Sequence, residues 1–256
     1  MNYRKTISER YLVGRGIEFG ALHNPLEIDR SQAEVFYADK YSRSKLVDNF
    51  KELEAVAEDI VETDTLLDLN QLEYSSLDDN DFDFFIANHV IEHLVNPLSF
   101  LNNLNSIMKT GSYLYLAVPD KEYTFDRHRK LHDWEHFHEE YQQKITRLSK
   151  EHLEDFLFNK MSAKPNLLEK TSLSNYWYQR AKSWRLSPQQ YYQQARFHLK
   201  RSIHVHVWNQ DSFDRFIALA IENLGLDLEI KATVKSADSG YEMIYILQKI
   251  EPRTLL

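Results

Sequence analysis

The stretch FDFFIANHVIEHLVNP (Phe82–Pro97) decides how the chain is interpreted. Its first half, FDFFIAN, is nearly continuous in apolar residues, which is typical of a strand buried on both faces of a parallel sheet. Its second half contains His89-x-x-Glu92-His93, a spelling used by one class of zinc peptidases. That class needs both histidines on one face of a sustained helix, and the nearby proline leaves room for barely two turns. We therefore interpret the segment as a strand followed by a short turn.

Shorter apolar runs on both sides of this strand predict a repeating pattern of strands and helices. Strands are predicted at Gly16–Gly20, Val35–Asp39, Glu58–Asp64 and Ser112–Pro119, and helices at Tyr41–Asp59 and Pro97–Gly111. Alternation of this kind indicates a parallel sheet with helices on both faces, built through right-handed crossovers.

The pattern changes after Pro119. Residues 121–200 are polar and aromatic, with helices predicted at His138–Phe158 and Ser187–Arg201, and we interpret them as a helical insertion or lid. A helix at Ser212–Gly225 follows, and two apolar runs meeting at Gly240 predict an antiparallel hairpin. The predicted fold is α/β and Rossmann-like: a mostly parallel seven-stranded sheet with a C-terminal antiparallel hairpin, in one domain spanning 1–256.

Composition excludes several classes of protein. The 256 residues are 43% hydrophobic and 27% charged, as in soluble globular proteins, and no apolar run approaches the ~20 residues that span a bilayer. The net charge of −8 opposes a general attraction to nucleic acid. Aromatic and basic residues alternate in Tyr178–Arg201, which in this acidic chain we interpret as a lid face or a grip for an anionic sugar or phosphate. The absence of cysteine excludes thiolate zinc sites and is compatible with the expected cytoplasmic location.

Acidic residues mark the ends of the first two predicted strands. Glu18 and Gly20 stand in the turn after the first, and Asp39 closes the second, where a carboxylate can accept both hydrogen bonds of a ribose diol. Ala21 and Leu22 occupy positions where a dinucleotide fingerprint has more glycine. Because this loop has few glycines, the sequence argues against NAD and remains compatible with S-adenosylmethionine.

On these residues the chain resembles class I S-adenosylmethionine-dependent methyltransferases. The resemblance rests on the Glu-x-Gly turn, the acid after strand two, the FDFFIANHVIEHLVNP segment and the KTG that precedes LYLAVPD. It covers Gly14–Pro119 well and Ser202–Lys249 moderately. GIEFGALHNPL and YTFDRHR resemble a subgroup associated with small molecules and bacterial surface-glycan loci.

The resemblance implies a role for each matching residue. Glu18 and Gly20 would lie near the methionine tail of the cofactor, and Asp39 on its ribose. Asp64, or alternatively Asp59, would lie near the adenine. Asn88 and His89 would lie beneath the reacting sulfonium.

Methyl transfer to a hydroxyl would use a base, and histidine suits that task at neutral pH. His89 is the first candidate, and His204 and His206 are reserves because they precede the last large helix. A hydroxyl is favoured over nitrogen because the Asn/Asp-Pro-Pro-aromatic segment of many N-methyltransferases is missing. The predicted function is O-methylation of a small molecule or glycan hydroxyl. The alternative is a non-catalytic module that binds the adenosyl ligand, which the glycine-poor loop favours.

The His-x-x-Glu-His spelling recurs at His132–His136, within the predicted lid. We interpret these histidines as hydrogen-bonding residues and assign no metal site from the sequence. Contact with substrate, or a metal ligated together with His204 and His206, remains the alternative.

Overall fold

Seven strands form one sheet in the computed structural model, which describes residues 2–50, 56–77, 81–159, 193, 196 and 202–252. The strands are β1 (Gly14–Phe19), β2 (Ala33–Asp39), β3 (Thr65–Leu66), β4 (Phe84–Asn88), β5 (Tyr113–Pro119), β6 (Leu228–Val234) and β7 (Glu242–Lys249). Their order is β3-β2-β1-β4-β5-β7-β6. The first five strands pair in parallel, while β7 is antiparallel to both β5 and β6. The predicted fold class is therefore confirmed.

The helices of the described residues are α1 (Tyr3–Tyr11), α2 (Arg43–Asn49), α3 (Pro97–Ile107), α4 (Trp134–Gln142), α5 (Lys150–Asn159), α6 (Gln210–Asn223) and α7 (Ser236–Ser239). Helix α3 shows why these boundaries fall where they do. The Asn96 side chain accepts the Ser99 N–H at 2.9 Å, and Pro97 occupies the first turn, where its missing N–H costs nothing. Within the described parts of the chain, no helix is long and apolar enough to cross a membrane.

Two hydrophobic cores lie on opposite faces of the sheet. Ile17 and Phe19 project into one core, which α3, α6 and Phe137 of α4 complete. The alternate side chains of β4 and β5, including Phe84 and Tyr115, project into the other, against which α1 packs. Helices therefore cover both faces, as the near-continuous apolar strands predicted.

Three predicted elements need correction. The third strand is Thr65–Leu66, later in the chain than Glu58–Asp64, and it lies at the sheet edge where it pairs only with β2. The helix predicted at Tyr41–Asp59 is shorter, because α2 ends at Asn49. The helix predicted at His138–Phe158 is two helices, α4 and α5, because Lys144 adopts a left-handed φ of 52° between them. The predicted helix at Ser187–Arg201 and the aromatic-basic stretch Tyr178–Arg201 lie almost wholly outside the described residues.

Gly16 provides a stability test of the packing between β1 and β4. It pairs with Phe84, and a Cβ on Gly16 would lie 1.9 Å from the buried Phe84 ring. We expect Gly16→Ala to lower the free energy of unfolding by about 3 kcal/mol, because a fully buried ring has nowhere to move. Denaturant unfolding measures the effect. Gly225→Ala is the control: its φ of +61° is strained for alanine, but no atom lies within 4 Å of the new Cβ, so about 1–2 kcal/mol is expected. Equal losses in the two variants would contradict the packing argument.

Candidate functional site

The candidate site lies where the strand order reverses, at the carboxyl ends of β1 and β4, which are adjacent in the sheet although β2 and β3 lie between them in sequence. Gly20 follows β1 with a φ of +62°, and its N–H donates to Ala38. A Cβ on Gly20 would still meet only Val90, at 3.6 Å. Residues 20–32 form no helix, so the helix N-terminus that binds pyrophosphate in dinucleotide sites is absent from this segment. This agrees with the prediction against NAD.

Glu18 holds the loop that follows β1. Its side chain is 1% exposed, and both carboxylate oxygens accept the N–H of Leu26, at 2.9 and 3.1 Å. Burial raises the pKa of Glu18 to about 7, against the effect of the Leu26 hydrogen bond. The Glu18 carboxylate therefore fixes the path of residues 20–26. The prediction that Glu18 lies near the methionine tail of the cofactor stays untested.

The acids around β2 and β3 lie at different positions relative to the ends of these strands. Asp39 ends β2, accepts the Tyr41 N–H at 3.1 Å, and has a pKa raised by burial. Asp64 precedes β3, and its carboxylate accepts the N–H of Tyr37 at 2.8 Å. Asp59 is exposed in a helical turn at residues 56–59. Asp64 and Asp59 both precede β3, and their predicted place near the adenine stays untested.

Asp68 lies at the end of β3 where an acid was expected. It follows Leu67, and its carboxylate lies 2.7 Å from Nζ of Lys40, the residue after β2. The signal was present in the sequence, because Thr65–Leu67 is a short apolar run closed by an acid, just as strand two is. Because the strand was predicted at Glu58–Asp64, the sequence analysis did not name Asp68.

Asn88 is the last residue of β4, and His89 follows it. Oδ1 of Asn88 is buried and accepts no hydrogen bond from the described residues. His89 has a φ of 55°, and its N–H donates to Ala117 of β5 at 2.9 Å. Its side chain is 29% exposed, with Nε2 2.8 Å from a carboxylate oxygen of Glu242 and Nδ1 3.5 Å from one of Glu92. His89 is therefore an accessible imidazole held between two acids.

Glu242, which the sequence analysis missed, supports His89 from the start of β7. Because β7 is antiparallel, its first residue lies beside Pro119, the last residue of β5, at the same edge of the sheet. Burial opposes the ionisation of Glu242, but hydrogen bonds from Arg4 and His89 and the charge of Arg4 outweigh it and lower the pKa to about 2. The Arg4 Nε–H donates to the carboxylate at 2.7 Å. The sequence did contain a signal for Glu242, because it is an acid at the start of the second strand of the predicted hairpin.

His204 belongs to a network of buried polar groups that includes Asp126 and Arg129. Its Nδ1 lies 2.6 Å from a carboxylate oxygen of Asp126, and its side chain is 14% exposed. Burial raises the pKa of Asp126, but the His204 hydrogen bond and the charge of Arg129 outweigh this and lower it. Arg129, fully buried, donates to the His204 and Val205 carbonyls. His204 is thus a component of the structure that supports the site, and its predicted role as a reserve base stays untested.

His206 is buried, and its predicted role as a reserve base stays untested. Its side chain is 0% exposed, and burial, with the neighbouring imidazoles of His132, His152 and His136, lowers its pKa well below the usual range. A base must reach the hydroxyl that it deprotonates. His206 faces the carboxylate of Glu140, at 3.3 Å.

The peptidase spelling does not form a helix. Ile91–His93 is a single 3-10 turn. His93 places Nδ1 2.8 Å from the Ile203 carbonyl, and burial lowers its pKa to about 4. The predicted short turn is confirmed, and the arrangement required of the zinc peptidases is not formed.

Comparison with known proteins agrees with this geometry. A family model described as a methyltransferase domain matches residues 12–159, more than half of the 256 residues. The chain belongs to this methyltransferase family. Its fold is that of the class I methyltransferases, and its cofactor is S-adenosylmethionine. A search of curated proteins finds no match.

Solved structures resemble the chain at low identity. A Rhodobacter sphaeroides protein described as a zinc-dependent alcohol dehydrogenase is 12% identical, with 98% of this chain and 91% of that one covered and a TM-score of 0.52. An S-adenosylmethionine-dependent methyltransferase from Aquifex aeolicus is 13% identical, with coverage of 92% and 82% and a TM-score of 0.42. One from Methanosarcina mazei is 12% identical, with coverage of 92% and 92% and a TM-score of 0.44. The first likeness shows the fold alone, and the two lower scores add nothing to it.

The residues at the strand ends fit this cofactor. The chain between β1 and β2 bends at Gly20 without a helix, and Asp39 supplies a carboxylate at the tip of β2. The orphaned Oδ1 of Asn88 is a buried acceptor in need of a donor, as the ammonium or a hydroxyl of the cofactor provides. Asp39, Asp68, Asn88 and the Gly20 turn are the residues that would hold it.

Proposed function

We propose that the protein methylates a hydroxyl group of a small molecule or glycan, with His89 as the general base. The observation that carries the proposal is the pair formed by His89 and Glu242, with 2.8 Å between Nε2 and the carboxylate. The pair lies beside the ends of β4 and β5, and the imidazole remains accessible while the carboxylate is 3% exposed. A buried acid behind an accessible histidine is the arrangement in which an imidazole accepts a proton and is stabilised as imidazolium.

S-adenosylmethionine supplies a methyl group already activated by its sulfonium. The work left to the chain is alignment, exclusion of water and removal of one proton. Because Nε2 of His89 is paired with Glu242, Nδ1 is the nitrogen that accepts the hydroxyl proton. Glu242, held anionic by Arg4, stabilises the cation that forms.

The acceptor class rests on sequence resemblance. GIEFGALHNPL and YTFDRHR favour the subgroup associated with small molecules and bacterial surface glycans. The structure adds that YTFDRHR carries Asp126 and Arg129, which fix the His204 segment near the site.

A non-catalytic module that binds the adenosyl ligand is the second candidate. It is favoured by the glycine-poor loop and by the missing helix in residues 20–32. The His89–Glu242 pair favours the enzyme, because a binding module has no use for a base.

Two measurements test the function. Calorimetric titration should show binding of S-adenosylmethionine and S-adenosylhomocysteine, and a protein that binds neither is not a methyltransferase. An isotope-labelled methyl donor offered with sugars, lipid-linked glycans and small hydroxylated compounds should then label an acceptor at oxygen. Binding without any labelling across that panel would favour the binding module, and labelling at nitrogen would refute the hydroxyl.

Cofactor affinity distinguishes the three acids near β2 and β3. We expect Asp39→Ala to weaken S-adenosylmethionine binding roughly 30-fold or more, since each hydrogen bond from the ribose to a charged group contributes about 1.5–3 kcal/mol. Asp68→Ala should weaken it as well. Asp64→Ala is the matched control: it loses the Tyr37 N–H bond and some stability, but should keep its affinity. The same titration measures all three, and a larger loss in Asp64→Ala than in Asp68→Ala would restore the sequence-based assignment.

A further inference from the structure

Four side chains from separate parts of the chain converge in the region behind the site. His136 and Glu140 lie one turn apart on α4, His152 comes from α5, and His206 from the segment that precedes α6. One nitrogen of each histidine and one oxygen of the glutamate all lie within 4.8 Å of one another. Glu140 and His152 are each 7% exposed and His206 is fully buried.

Two of the distances from the Glu140 carboxylate oxygens, to His136 and His206, are close to the spacing of ligand atoms in a tetrahedral metal site, and the third, to His152, is that of a hydrogen bond. Four ligand atoms at about 2.1 Å from a zinc ion stand about 3.4 Å from each other. Nε2 of His206 is 3.3 Å from one oxygen of Glu140, and Nε2 of His136 is 3.4 Å from the other. Nε2 of His152 is 2.7 Å from the Glu140 carboxylate.

Hydrogen bonds within the described residues do not satisfy this group. Nε2 of His136, Nε2 of His206 and one carboxylate oxygen of Glu140 are buried without a partner. Buried polar atoms almost always have partners, because leaving one unpaired costs about 1–3 kcal/mol. Nδ1 of His206 lies 3.2 Å from Nδ1 of His132. Nε2 of His206 is therefore the nitrogen that faces the other three side chains of the group. The three orphaned atoms therefore point to a shared cation.

We propose that His136, Glu140, His152 and His206 bind one divalent transition metal ion, with zinc as the expected occupant. Three imidazoles and one carboxylate suit zinc, and four protein ligands leave no open position, which is typical of a structural site. This assignment is independent of the methyl acceptor.

The ion would fix the first part of the insertion to the sheet. Asp120 forms a bridge with Trp208, two residues after His206, at the carboxyl end of β5. The backbone of Glu92, three residues after His89, accepts the N–H groups of Val205 and His206, at 2.7 and 3.2 Å. An ion joining α4 and α5 to His206 would therefore set the position of the backbone next to the His89 turn.

A second group of acids and histidines is a weaker candidate. Glu92, His93 and His204 also place ligand atoms close together, but they number three, and Nδ1 of His204 is already occupied by Asp126. Nδ1 of His93 faces the Ile203 carbonyl. The group of four is therefore the preferred site.

Metal content tests the proposal. Protein purified without chelators or a histidine tag should contain about one zinc per chain by elemental analysis. Removal of the ion with a chelator should lower the melting temperature by roughly 10 °C, and added zinc should restore it. Protein reconstituted with Co²⁺ should show the intense visible bands of a tetrahedral ion. Metal-free protein that gains neither stability nor a spectrum on adding either ion would overturn the proposal.

Variants locate the ion. His152→Gln and His206→Gln should each reduce zinc content at least tenfold, and the cobalt spectrum of wild-type protein covers the case in which a variant fails to fold. His138→Ala is the matched control, because His138 lies on α4 but stacks on Trp134 outside the group, and it should keep its zinc. Loss of zinc from His93→Gln but not from His152→Gln would place the ion at the group of three and overturn the assignment.

Discussion

Replacement of His89 by alanine is expected to lower kcat by roughly 10²- to 10⁴-fold, the usual contribution of a positioned general base. The imidazole is 29% exposed and follows β4, and the buried Glu242 at the start of β7 joins it to Arg4. Truncation removes the group that accepts the hydroxyl proton and leaves the strand ends in place. The affinity for S-adenosylmethionine, measured by titration, should stay within a few-fold of wild type.

Glu242→Gln tests whether the charge of Glu242 assists His89 or whether its side chain only holds the imidazole in place. Glutamine keeps the shape of the side chain but not its charge, so a smaller loss of kcat and a shifted pH–rate profile are expected, because the imidazolium is no longer stabilised. The carboxylate, with a pKa lowered to about 2, is ionised throughout the neutral range, so it does not itself shape the wild-type profile there. Unchanged kcat in His89→Ala would remove His89 from the mechanism.

Replacement of Arg129 by leucine is expected to lower the free energy of unfolding by about 3–5 kcal/mol, the cost of breaking a buried ion pair by removing one partner. The guanidinium is 0% exposed. It donates to the carboxylates of Asp126 and Asp155 and to the backbone carbonyls of His204 and Val205, at 2.7–3.0 Å. Leucine would leave two carboxylates and two carbonyls without this donor.

Arg127→Leu is the matched control for this loss. Arg127 is two residues away, 51% exposed, and 3.9 Å from Glu122, and surface substitutions of this kind change stability by at most about 0.5 kcal/mol. Chemical denaturation of both variants gives the comparison. Similar losses in the two variants would mean that the buried contacts of Arg129 do not stabilise the fold.

Since Arg129 supports the backbone on both sides of Val205, Arg129→Leu should also weaken metal binding at His206.

The sequence alone determined the order of strands and helices along the chain, because the spacing of apolar residues and the positions of glycine and proline are local properties. It also identified the acids at the ends of β1 and β2 and the histidine after β4, since side chains at the carboxyl ends of parallel strands share one edge of the sheet. It failed at β3, where a two-residue edge strand has too weak a pattern to fix its register, and Asp68, which follows that strand, was not named as a candidate.

The tertiary structure decided which polar residues meet. The sequence resemblance places Glu18 near the cofactor, and the structure adds that its buried carboxylate accepts the N–H of Leu26. Glu242 and Arg4 stand 238 positions apart, and only the antiparallel course of β7 and the packing of α1 bring them to His89. The sequence pattern marked His136 and His206 as alternative metal ligands, but only the packing of α4 and α5 adds Glu140 and His152 to them. Contacts between distant segments are set by how the helices and strands pack, which local sequence does not encode.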